Sequence, residues 1–110
     1  MANTFKVKTS RDITSSLASV GSYTVPASTS ATVIGLSLAN KTSNTVSVSG
    51  AHYDGTNTTY LFANVPVVAG GSFVAVGGDQ KLVLETGHSF RVSCNTATSV
   101  DAIMSILEVA

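Results

Sequence analysis

Two histidines, six carboxylates, one cysteine and a short basic run hold most of this chain's capacity for chemistry. His52 and Asp54 stand two apart, the spacing that turns both side chains of a strand to one face, and an imidazole beside a carboxylate is a fragment of a metal site. His52, however, lies at the lip of Asp54-Gly55, a strong tight-hairpin signal, so an ordinary turn-flanking pair is expected. His88 follows Gly87 in a second turn and is expected to be exposed. Glycoside hydrolysis needs two carboxylates flanking a substrate. Of Asp12, Asp54, Asp79, Glu85, Asp101 and Glu108, the second and third read as turn residues and Glu85 as the polar member of the strand KLVLE. Gly70-Gly71-Ser72-Phe73-Val74 lacks the closing glycine of a nucleophile elbow, and neither phosphate-cradling glycine motif is present. The expectation is a protein that is not an enzyme and uses no cofactor or metal.

Cys94 cannot form an internal disulfide, and in SFRVSCN it shares a strand face with Phe90 and Val92. It reads as a small buried hydrophobe. The basic trio Lys6, Lys8 and Arg11, with Phe5, is the one local charge asymmetry and the candidate assembly interface: an N-terminal strand that docks on an acidic neighbour. The competing reading is a solvated edge whose lysines discourage unwanted pairing. Sugar binding is poorly served, because the chain has no Trp and only three Tyr; Tyr53 and Tyr60, near the Asp54-Gly55 turn, would have to converge in a groove.

These side chains must be positioned by strands. From Val65 to Val92, short apolar runs are separated by Gly70-Gly71, Gly77-Gly78-Asp79 and Gly87-His88, the punctuation of consecutive antiparallel strands. Phe5 to Arg11 alternates Phe5, Val7 and Thr9 against Lys6, Lys8 and Ser10, as in a strand with one wet face. Residues 12–19 read as a loop, with a helical turn capped by Asp12 or Ser15 as the minor alternative. Ser22 to Val25 reads as a strand ended by Pro26. Ala31 to Asn40 is apolar at both parities, as in a strand covered on both sides or entering a subunit interface, and Gly35 inside it suggests a bulge. Thr45 to Tyr53 alternates strictly, Thr58 to Ala63 follows, and Val100 to Val109 closes the chain with apolar residues on both faces. About eight short strands give an all-β, antiparallel β-sandwich of jelly-roll or Ig-like Greek-key type, with a small barrel as the alternative. A chain of 110 residues fits one such domain at 1–110, with residues 1–19 as a possible docking strand and loop.

Charged residues make up 11% of the chain, against about 25% ordinarily, and the net charge is zero. Hydroxyls take their place, with 16 Ser and 14 Thr. A neutral surface lacks the repulsion that keeps proteins apart, so association is favoured, while the missing basic field argues against nucleic acid as a partner. No run of 18 apolar residues is present for a membrane, and MANTFKVKTSRDI has no apolar stretch of the kind a signal peptide uses.

The blocks MANTFKVKTS, VPASTSATVIGLSLAN, PVVAGGSFVAVGGDQKLVLETG and SVDAIMSILEV, which together span nearly the whole chain, resemble a family of small virion structural proteins of tailed bacteriophages. The order proline, Gly-Gly, GGDQKLVLE is the most specific part. The resemblance implies a β-sandwich present in many copies on the particle, as a decoration, collar or tail-associated protein without enzymatic activity. Its implied partners are copies of itself, as a homo-oligomer, and other virion proteins. Its place is the virion, after synthesis in the bacterial host cytoplasm. No catalytic or ligand residue carries over from the family.

Overall fold

The computed structural model describes residues 3–77 and 80–110. The strands are β1 (Asn3–Ser10), β2 (Ala18–Ser19), β3 (Ser30–Asn40), β4 (Val46–Tyr53), β5 (Thr58–Val67), β6 (Ser72–Val76), β7 (Leu82–Leu84), β8 (Ser89–Cys94) and β9 (Val100–Val109), with one 3₁₀ turn at Val20–Ser22. Two antiparallel sheets pack face to face: β1-β9-β3-β6, with β7 also on β3, and β2-β8-β4-β5. No barrel closes.

The pairings are nested. β4 and β5 form a hairpin through Asp54-Gly55, and the arms on either side pair as β3 with β6, β2 with β8 and β1 with β9. A long hairpin of this kind, bent so that alternate pairs fall in different sheets, is the jelly roll. The Ig-like alternative assigns its strands to the two sheets in a different order. Proline sits where such a topology tolerates it: Pro66 lies opposite Ser47 on β5, which is an edge strand.

Alternation explains the core. Val33, Leu36 and Leu38 from β3, with Met104 and Ile106 from β9, face Val48, Phe90 and Val92 of the other sheet, and all are buried. The register shift between Val33 and Gly35 is the bulge expected at Gly35, and it keeps Val33 and Leu36 on the inner face although they stand an odd three positions apart. Cys94 is buried beside these groups, its thiol donating to the Thr96 carbonyl at 2.8 Å.

Several expectations are corrected. Ser22–Val25 is not a strand, because Gly21, at φ 62°, bends the chain through the 3₁₀ turn; beyond it Val25 alone bonds the turn at Gly87-His88, its N–H to the His88 carbonyl and its carbonyl to the Gly87 N–H. The helical turn considered for residues 12–19 is absent, and Ala18–Ser19 pairs with β8 instead. β5 runs on past Ala63 to Val67. The expected turn at Gly77-Gly78-Asp79 lies partly outside the described residues, as does the reading of Asp79. No helix among the described residues is long and apolar enough to cross a membrane.

Candidate assembly interface

β1 is an edge strand with no buried residue. Its eight register pairs with β9, from Asn3 opposite Val109 to Ser10 opposite Ala102, hold it in place, and its alternation divides the candidate residues between two faces. Lys6 and Lys8 lie opposite the buried Ile106 and Met104 and therefore turn to the sandwich side. Phe5 and Val7 turn outward and are exposed. The apolar side of β1 thus stands in solvent and the lysines face the sandwich, although Lys6 keeps 44% of its side chain exposed there. The reason lies opposite the lysines: the interior at this edge is lined by Tyr23 and Glu108, to which cations can bind.

Glu108 is buried, at 8% exposure, and accepts from the Tyr23 hydroxyl at 2.5 Å and from Lys6 Nζ at 2.9 Å. Lys8 Nζ lies 5.0 Å from the centroid of the Tyr23 ring, a cation–π contact. Gly21 lets the 3₁₀ turn approach β1 closely: a Cβ there would stand 2.9 Å from Lys8 Cβ, and the Gly21 N–H donates to Ser10 Oγ at 2.7 Å. The acidic group that Lys6 meets thus belongs to its own chain. Arg11 stands apart at the end of the strand, on the wall of an open groove of about 180 Å³ that also involves Asp12, Thr14 and Ser22.

The Tyr23 hydroxyl, with Lys6 second, holds the Glu108 carboxyl below the usual glutamate value, and hydrogen bonding to the ionised Glu108, after burial, pushes Tyr23 far up. A carboxyl whose folded value is depressed contributes stability that is complete above its unfolded value, near 4.5, and is lost as pH falls through the folded one. Acidification below that point is expected to lower the hydrogen-exchange protection factors of the β1 amides before those of β4 and β8. Glu108→Gln should flatten this pH dependence; protection that falls equally in all strands would refute it.

The other polar groups have structural partners. Lys41 Nζ bridges Asp12 Oδ1 at 2.5 Å and Asp101 Oδ1 at 3.0 Å on an exposed corner. The Asp12 N–H, then Lys41, keeps the Asp101 carboxyl low, whereas a general acid needs a raised one. Asp54 does not join His52: its Oδ1 accepts from the N–H groups of Thr56 and Asn57 at 2.9 and 2.6 Å, which lowers its carboxyl and builds the turn.

His52 meets His88 instead, Nε2 to Nδ1 at 3.0 Å with the rings edge to face, so His88 is half-buried rather than exposed. The Glu85 N–H also points at His88 Nδ1, at 3.3 Å. An N–H can only donate, so Nδ1 accepts and His52 Nε2 carries the hydrogen. Tyr53 and Tyr60 share the outer face of the four-stranded sheet, yet the Tyr53 ring is covered by the Arg91 guanidinium at 3.7 Å, and only Tyr60 presents a free surface.

No family model and no curated protein matches the chain. Among solved structures it is similar to a chain in the acidic stable capsid structure of Helicobacter pylori bacteriophage KHP30, with a TM-score of 0.56 and 13% identity over 100% of this chain and 94% of that one. The two share a fold.

Proposed function

We propose that the chain is a structural component of a tailed-phage virion: a multi-copy, non-enzymatic accessory protein that decorates or cements the capsid, or forms a collar or layer at the neck or tail. The observation that carries this reading is the end-to-end match of its jelly roll to a chain of a phage capsid structure. The fold is at home in viral capsids and in lectins, so the surface must choose between them. Here the surface is neutral and rich in hydroxyls, and one of the two tyrosines that a glycan platform would use is occupied by Arg91. A fibre-like module recognising a host glycan is the weaker reading for that reason. Many weak contacts on a symmetric particle add through multivalency, so a small neutral domain attaches without a large binding energy per copy. Its partners are copies of itself and other virion proteins, and its place is the particle.

Imaging the parent particle with this chain labelled tests the proposal. A regular array on capsid, neck or tail is expected, as is rebinding of the purified protein to particles stripped of it. Absence from the particle, with no rebinding, would overturn the reading.

A further inference from the structure

Among the described residues, five of the seven large hydrophobic side chains that are exposed, Phe5, Val7, Val74, Val83 and Ile103, lie on one surface, the outer face of the five-stranded sheet. Register places them in rows across the sheet. Phe5 lies opposite Leu107, Leu107 opposite Thr32 and Thr32 opposite Val83. A second row runs from Thr9 through Ile103 and Ser37 to Val74. The outer face of the other sheet is different in kind, presenting Ser47, Ser49, Ser93 and Arg91 beside Tyr53 and Tyr60, of which Tyr60 alone is an exposed large hydrophobic.

We propose that this apolar sheet face docks against the same face of a second copy of the chain. The inference rests on the assembly reading above only in taking the protein as one made to associate. It adds the surface and the partner.

Three observations favour a second copy. β3 and β9, the central strands of this sheet, are apolar at both parities, the pattern of strands covered on both sides, yet only their inner sides are covered in one molecule. The two rows carry no charged residue, because Lys6, Lys8 and Glu108 all turn inward. A two-fold contact sets like patches together, so it requires a face without uncompensated charge. The one carboxylate at an outward position of β9, Asp101 near its start, is paired with Lys41, so the face offers little to a partner chosen by charge, and with a net charge of zero the copies do not repel at long range. The area is also sufficient. Four strands about 4.8 Å apart, along a ten-residue strand rising about 3.4 Å per residue, make a face of roughly 650 Å². Two such faces cover about 1,300 Å², within the range of specific interfaces.

Sedimentation equilibrium of the full chain at rising concentration tests this. A dimer is expected, with Ile103→Glu and Val83→Glu each raising its dissociation constant about 30-fold or more, while Ser93→Glu on the opposite sheet leaves it unchanged. Both apolar positions are exposed, and circular dichroism with a urea titration will establish that the variants fold. A wild-type monomer at all concentrations, or a dimer indifferent to both substitutions, would overturn the proposal. The two readings fail separately: a monomer that still rebinds stripped particles removes the docking face and keeps the virion role. A dimer lost in the Glu variants but unable to bind particles supports the face and removes that role.

Discussion

Asn40→Asp is expected to destabilise the protein by about 3–5 kcal/mol at neutral pH, although it changes one atom and almost no volume. Asn40 ends β3 with 2% of its surface exposed and acts as a junction. Its Nδ2 donates to the carbonyls of Asn44, Val67 and Val68 at 2.7, 3.0 and 3.2 Å, while Oδ1 accepts from the Thr42 N–H and hydroxyl at 3.0 and 2.7 Å. One side chain therefore closes both the loop after β3 and the turn after β5. A carboxylate keeps the accepting half and inverts the other: three carbonyl oxygens would face a negative oxygen in a buried site. The resulting pH dependence identifies the cause. Burial among acceptors raises the folded value of the new carboxyl, so the penalty is complete above that value and is partly relieved as pH falls through it, when a protonated oxygen donates again. Urea unfolding of wild type and variant across pH measures this, and a loss below about 1 kcal/mol at pH 7 would contradict the junction role.

Asn40 also marks the limit of what the residues reveal. Alternation and turn chemistry exposed the elements themselves: Val100–Val109 is a strand throughout, Gly35 marks a bulge and Asp54-Gly55 turns a hairpin. Those signals are local. Pairing is not, since β1 and β9 meet across almost the entire chain and many alternating strands would fit β9 equally well. The faces of β1 are hidden for the same reason: nothing near Lys6 in the sequence announces the Glu108 carboxylate that it meets. His88 appears to be a turn residue until β4 brings His52 to it from 36 positions away. The exposed apolar face was partly legible, because β3 is apolar at both parities, but its breadth depends on β1, β6 and β7 lying beside β9 and β3.

Phe90→Ala is expected to cost about 3–5 kcal/mol, a large share of the 5–15 kcal/mol that holds a domain of this size together. Phe90 heads the fully buried side chains by volume, on a strand fixed by ladders to β2 on one side and β4 on the other. Beneath it the neighbouring strand carries Gly50, where a Cβ would come within 2.9 Å of the Phe90 ring and 2.4 Å of Phe62. Backbone therefore floors the site, and no side chain there can expand into the space left by the ring. Phe62 is placed to follow, but it is held edge to face against Phe73 of the opposite sheet at 5.0 Å, 6.3 Å from Phe90. If Phe62 swings inward, the cost lies at the lower end of the range and the contact with Phe73 between the sheets is lost; if it stays, the cavity sets the upper end. A double-mutant cycle with Gly50→Ala separates these outcomes. In the wild type the added methyl group overpacks the ring cluster and costs about 1–3 kcal/mol. With Phe90 gone, the same methyl group enters vacated space, so the two losses should sum to less than their separate values by about 1 kcal/mol or more. The urea midpoint of Phe90→Ala should fall by roughly 2 M. A fall below about 0.5 M, or strict additivity with Gly50→Ala, would show that the ring does not fill the space between the sheets.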